Sequence, residues 1–291
     1  MEPMNVARIA AFSDRCQGGN PAGVMITDAL PEAAEMQQIA AAVGYSETAF
    51  LAPQDDGWRI RYFAPEIEIP FCGHATIAAG AVLTTRFGPG RYRLFLNDGE
   101  VSVEGDNQAG LSVAGLSVAA LYSPPTHSEP APAGLVAQAL ALFGWQQEDL
   151  DTRLPPAWAE GGARHLVLAL HDRETLRAMH YDQAQGKAMM EAHGITTFCL
   201  VHAETPTRFH ARNPFAIGGV YEDPATGAAA AALGGYLRDI GWPHGGEVEI
   251  IQGEDMGMRS LLNIRISDEP GGSIRVAGTA RPMDNIGINV A

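Results

Sequence analysis

Two stretches of this chain, residues 74–83 (HATIAAGAVL) and 226–237 (TGAAAAALGGYL), are apolar on nearly every side and built largely from Ala and Gly. A helix with no polar face has nothing to offer water, so each must be buried all round. Small side chains also let neighbouring backbone come close. A helix threaded through a curled or closed sheet meets both demands, and the rest of the sequence supplies strands for it. Segments 6–12, 24–26, 49–51, 58–63, 92–96 and 101–103 read as strands in the first half. Segments 165–170, 197–201, 208–211, 247–251, 262–266 and 273–276 do so in the second. Several alternate apolar and polar residues, and Gly, Asp or Pro separates many of them. Segments 31–43 and 134–143 read as amphipathic helices, the first with Pro in its opening turn.

The residues leading into the two apolar helices resemble each other. RYFAPEIEIPFCGHAT (61–76) and RNPFAIGGVYEDPATG (212–227) each run from an Arg through Pro and an aromatic to an acidic residue, then Pro, then a small-residue helix. The helix starts lie about 150 residues apart, which points to one duplicated unit rather than a solenoid array. With the halves related by a pseudo-twofold axis, two helix N-termini can face one cleft. Unpaired N–H groups and the partial positive charge there suit a carboxylate. Gly73 and Gly227 would let it approach the backbone closely.

The Pro-rich run 121–134 (LYSPPTHSEPAPAG) cannot sustain a helix or an inner strand and reads as a linker. The expected organisation is therefore an N-terminal half at 1–120, a linker at 121–134 and a C-terminal half at 135–291, each half of plausible domain size. Segments 53–58 and 156–164 are expected as loops. Thirty-four acidic against nineteen basic residues leave a formal charge of −15. That balance disfavours nucleic acid and anionic membrane surfaces as partners. No stretch reaches the roughly 18 consecutive apolar residues of a membrane span. The first residues lack the pattern of a signal peptide, so the cytoplasm is the expected location. Cys16, Cys72 and Cys199 are too few and too scattered for a disulfide framework or a zinc knuckle. The histidines show no metal-ligand spacing, so no metal is expected.

The strings GGNPAGV (18–24), GYSETAF (44–50), RYFAP…FCGHAT and EDPATG (222–227), with QGEDMG (252–257) further on, occur in order over nearly the whole chain. Together they resemble the phenazine biosynthesis PhzF-like family, within the diaminopimelate epimerase-like fold. The resemblance implies an α+β fold of two pseudo-symmetric domains, each a β-barrel-like sheet around a central apolar helix. It also implies an active site between them, a homodimer, and catalysis without metal or organic cofactor. The family's best-understood activity is isomerisation of a dihydro-hydroxyanthranilate by moving a proton. Carried over motif by motif, Glu47 matches the acid/base, while His74 and Asp223 match residues at the cleft. Asn20, Ser46, Gly73, Thr226, Gly227 and Ala228 fall at substrate-binding positions. Two departures bear on substrate: Ala228 stands where relatives often have Ser, and Met258-Arg259 where they often continue Arg-Pro.

Returning a proton to a small carboxylated molecule needs a group that accepts and releases it, and burial is expected to raise the Glu47 pKa toward neutrality for that task. His74, at a helix start, is expected to stay neutral and donate one hydrogen bond. Asp223 is placed to cap the second helix. Two other readings remain open: a non-catalytic ligand-binding or scaffold protein, and an epimerase or racemase using Cys72. The segment 223–228 has no cysteine to act as a second thiol, which leaves Cys72 as a small buried residue.

Overall fold

The alternating segments of the first half become strands β1 (Ala7–Ser13), β2 (Asn20–Ile26), β3 (Glu47–Gln54), β4 (Gly57–Phe63), β5 (Glu68–Ile69), β6 (Gly90–Phe95), β7 (Glu100–Asp106) and β8 (Ser117–Tyr122). Helix α1 (Ala33–Val43) joins β2 to β3, and α2 (Gly73–Phe87) joins β5 to β6. The computed structural model describes residues 6–106 and 117–283. Among these, residues up to 122 together with 277–283 form one unit, and residues 123–276 a second. In the first unit β1–β2, β3–β4, β6–β7 and β7–β8 pair antiparallel. β2–β3 and β4–β6 pair parallel, each joined by a helical crossover as parallel neighbours require.

The second unit contains β9 (His127–Pro130), α3 (Ala133–Phe143), β10 (Ala157–Glu160), β11 (Arg164–Ala169), α4 (Arg173–Arg177), α5 (Gln183–His193), β12 (Thr197–Thr205), β13 (Arg208–Pro214), β14 (Glu222–Asp223), α6 (Gly227–Asp239), β15 (Glu247–Gln252) and β16 (Ser260–Arg265). Its pairings repeat the first unit's succession. β10–β11 is antiparallel, β11–β12 parallel, β12–β13 antiparallel, β13–β15 parallel and β15–β16 antiparallel. The short strands correspond too, β5 folding back on β4 and β14 on β13. The last strand, β17 (Arg275–Pro282), pairs with β1 and β8, completing a circuit of pairings in the first unit.

Helix α2 is buried at every position from Gly73 to Thr84 and lies against β1, β2, β3, β6, β7 and β8. In the second unit α6 lies against β9, β10, β11, β12 and β16. Glycine makes the close approach of α2 to its sheet possible. A Cβ on Gly105 of β7 would overlap the Thr84 hydroxyl and come within 3.2 Å of the Gly80 carbonyl, and one on Gly80 would meet Val103 at 2.5 Å. Gly105→Ala is therefore expected to lower stability by about 1–3 kcal/mol, the usual cost of overpacking. Removing the obstructing hydroxyl with Thr84→Ala in the same chain should recover much of that loss, read as coupling in denaturant unfolding. Additive effects of the two substitutions would contradict this packing account.

The structure departs from the expected boundaries in several places, among them 53–58, expected as a loop, of which only Asp55 and Asp56 lie between β3 and β4. The run 121–134 is not a bare linker: it holds the end of β8, all of β9 and the start of α3. Proline is tolerated at a strand terminus, and Pro130 ends β9 opposite Ala157. Residues 277–283 belong with the first unit rather than the C-terminal half. Residues 156–164, expected as a loop, contain β10.

The second unit buries one histidine completely. His165 on β11 faces Thr197 on β12, with Nδ1 2.8 Å from the Thr197 hydroxyl, which also accepts from Asn213 Nδ2 at 3.1 Å. Nε2 is buried without a partner. Burial therefore pushes the His165 pKa down to about 4 from the ordinary 6.5. Below pH 6.5 the unfolded chain takes up a proton that the folded chain refuses, so stability falls as pH drops from 6.5 through 4. The full linkage is on the order of 3 kcal/mol. Urea unfolding of His165→Asn between those pH values should show a flatter dependence than the parent, and an unchanged slope would refute the assignment.

Candidate functional site

The motif GYSETAF places Ser46 and Glu47 at the point where the chain leaves α1 and enters β3. Ala22 on β2 is the parallel partner of Glu47, so buried Asn20 and Glu47 share one face of that sheet. The motif FCGHAT opens α2: Cys72 is its cap residue, Gly73 its first residue and His74 its second. These two segments meet. His74 Nε2 lies 3.1 Å from Glu47 Oε2 and 3.5 Å from the Ser46 hydroxyl, while Cys72 Sγ lies 3.4 Å from His74 Nδ1. Glu47, Cys72 and His74 are 6%, 7% and 4% exposed.

The His74–Glu47 approach is an ion-pair distance, but its angles fall outside hydrogen-bond geometry, and Glu47 Oε2 has no other hydrogen-bond partner. Burial, the largest influence, pushes the Glu47 carboxyl up, yet the His74 charge and the contacts with His74, Ser46 and Cys72 outweigh it. The net result is a carboxyl held below its ordinary value. Burial would likewise push His74 down, but Cys72 and Glu47 outweigh it and hold the imidazole well above its usual range. The Cys72 thiol is pushed up to about 11, first by burial and then by the Glu47 charge. A thiol that stays protonated at neutral pH cannot supply a negative charge, so Glu47 is the partner that keeps His74 protonated. Both expected directions are thus reversed: the carboxyl is held down and the imidazole up, because each desolvated charge lies beside its opposite.

The second unit gathers its own cluster where β14 turns into α6. Thr226, the half-buried cap residue of α6, donates its hydroxyl to Asp223 Oδ2 at 2.5 Å. Gln252, at the end of β15 and 1% exposed, donates from Nε2 to the Asp223 carbonyl at 2.7 Å and to the Thr226 hydroxyl at 3.0 Å. Its Oε1 accepts the Thr226 N–H at 3.0 Å. One buried amide thus fixes the turn that presents Asp223, Thr226, Gly227 and Ala228. Gln252 was visible in the sequence only as the first letter of QGEDMG, with no role attached. The following Gly253 has φ 73°, and a Cβ there would press within 2.7 Å of the Pro224 carbonyl, so the two motifs pack backbone to backbone. Arg259, one of the two departures, pairs with Glu254 at 2.8 Å, a carboxylate that Arg173 and His210 also contact.

Among the described residues, Glu47, Cys72 and His74 also form a group whose ligand atoms, one O, one S and one N, lie within 4.8 Å of one another. Sequence spacing hid this set, because Glu47 comes from β3 and the other two from the start of α2.

A profile of the phenazine biosynthesis-like protein family matches residues 9–285. The "uncharacterized isomerase YddE" of Escherichia coli (strain K12) is 30% identical over 295 residues, covering 96% of each chain. The trans-2,3-dihydro-3-hydroxyanthranilate isomerase of Pseudomonas fluorescens is 32% identical over 266 residues, covering 89% of this chain and 88% of its own. Among solved structures, the Bacillus anthracis phenazine biosynthesis protein of the PhzF family superimposes with a TM-score of 0.81 at 23% identity, covering 98% of both chains. The likeness to that structure concerns the fold. No helix among the described residues is long and apolar enough to cross a membrane.

Proposed function

The chain belongs to the phenazine biosynthesis-like protein family and is an isomerase, and from that premise we propose that it relocates a proton within a small carboxylated metabolite, with Glu47 as the carrier. One observation carries the reading: Glu47 is a buried carboxylate held ionised beside the His74 ring, whose Nε2 lies 3.1 Å from its Oε2 outside hydrogen-bond geometry. A carboxylate in that condition is available as a base toward carbon. The imidazolium of His74 at 3.1 Å keeps the carboxylate ionised until substrate arrives. It is also a donor within reach of a substrate oxygen on which charge develops. The first turn of α2, starting at Gly73, offers backbone N–H groups to a carboxylate.

Asn20 and Ser46 complete this group of contacts in the first unit; in the second unit Asp223, Thr226, Gly227 and Ala228 form a substrate-binding cluster of their own. Ala228 offers a backbone N–H but no hydroxyl, which favours a substrate other than one needing that extra donor. The reading includes a homodimer and requires no metal or organic cofactor for turnover.

Solvent isotope exchange tests it. The purified protein in D2O, given trans-2,3-dihydro-3-hydroxyanthranilate and a panel of cyclic and amino-acid-derived carboxylates, should place deuterium on a carbon of at least one. Tight binding of a panel member with no exchange anywhere would favour the non-catalytic ligand-binding reading instead.

A further inference from the structure

We propose that Glu47, Cys72 and His74 form a binding site for a thiophilic divalent cation of the zinc class, one that competes with the proton chemistry of the same residues. The donor set is the first reason. A carboxylate oxygen, a sulfur and an imidazole nitrogen converge within 4.8 Å, and all three residues are more than nine-tenths buried. Zinc takes such mixed sets at about 2.0–2.3 Å per ligand, which places ligand atoms a little over 3 Å apart in a tetrahedron. Here Nε2 lies 3.1 Å from Oε2 and 3.9 Å from Sγ, with all three atoms within 4.8 Å of one another, close to the spacing of tetrahedral ligands.

The second reason is Glu47 Oε2, which is buried and lacks a hydrogen-bond partner. It is aimed at His74 and has a lone pair to give. The third is charge. A carboxylate and a thiolate together balance a divalent cation, with His74 as a neutral ligand. A neutral sum is the arrangement a desolvated pocket tolerates best. Binding releases the thiol proton and the imidazolium proton to solvent, since both ligands coordinate only when deprotonated. Three protein ligands leave a fourth position for water, as in open zinc sites.

The sulfur sets selectivity. A thiolate favours zinc, cobalt and cadmium over magnesium and calcium, which prefer all-oxygen surroundings. Occupancy would remove Glu47 and His74 from proton transfer, so the cation would act as an inhibitor. That consequence rests on the proposed function, whereas binding stands on the cluster alone.

The test is a Co²⁺ titration of the full chain in a Cys16→Ser background, which removes the exposed thiol. One equivalent should bind with the near-ultraviolet thiolate-to-cobalt absorbance. Zn²⁺ should displace it and a large excess of Mg²⁺ should not. Cys72→Ser should abolish the absorbance, and Glu47→Gln should weaken binding at least tenfold. Zinc-edge X-ray absorption of the same Cys16→Ser protein, which needs no Cys72 variant, should show one sulfur neighbour among nitrogen and oxygen. No thiolate absorbance, an absorbance that survives Cys72→Ser, or a zinc shell without sulfur would each overturn the proposal. None of these readouts needs a substrate, so their failure leaves the isomerase reading untouched, and failed isotope exchange leaves this one untouched.

Discussion

Glu47→Gln is expected to slow carbon–hydrogen exchange by a factor of about 10² to 10⁴, the range a positioned acid/base contributes. The side chain keeps its shape and loses its basicity, so ligand binding should change little. A loss confined to turnover is the signature of a group that acts in the transition state rather than in ground-state binding. The substitution also removes the charge that holds His74 protonated. The imidazole, buried and without its partner, should then become neutral, since a desolvated unpaired cation is costly. Nuclear magnetic resonance of the His74 ring would report this even before a substrate is found: its titration should move down in the variant. Full exchange activity in Glu47→Gln would remove Glu47 from the mechanism. Lost activity with an unmoved His74 titration would mean that the ion pair described above does not govern the site.

The core elements of this fold were legible because their side chains carry a period. The small-residue helices appeared at 73–87 and 227–239, close to where uniform apolarity put them, since no other placement satisfies such a surface. α5 was missed for the opposite reason. Only Gly186 and Met190 of Gln183–His193 are buried, so there is almost no apolar stripe to read. Its ends were the available signal: Asp182 accepts from the Gln185 N–H at 2.8 Å, and Gly194 follows with φ 66°. β9 was hidden by prolines that sit at the end of a strand and beyond it.

The motifs singled out Glu47 and His74 as candidates but could not give their charge states. The prediction of a raised carboxyl considered burial alone, and the pairing that reverses it joins residues 27 positions apart. Cys72 was read as a small buried residue because the matching segment 223–228 holds no second thiol, a comparison of one half with the other. It does not bring in a glutamate from another strand.

The duplicated motif leads to the largest stability effect expected in this chain. In both units the Arg that opens the motif forms a bidentate pair with the acid before the apolar helix. Arg61 holds Glu68 at 2.8 and 2.6 Å, and Arg212 holds Glu222 at 3.0 and 2.5 Å. The shared chemistry does not imply shared energetics. The first pair is 22% and 26% exposed, and water can take over either charge when its partner is removed. The second is 8% and 2% exposed, and Arg212 also donates to the Arg177 and Met179 carbonyls, which ties α4 to β13. Glu222→Ala would leave a guanidinium buried without a counter-charge, a change that typically costs about 3–5 kcal/mol. Glu68→Ala should cost at most about 1 kcal/mol. Replacing Arg212 and Glu222 together by apolar residues of similar volume should cost less than Glu222→Ala alone, because no charge is then stranded. Urea unfolding of the three variants checks the order. Equal losses at Glu68 and Glu222 would show that the repeated pair, not its burial, sets the cost.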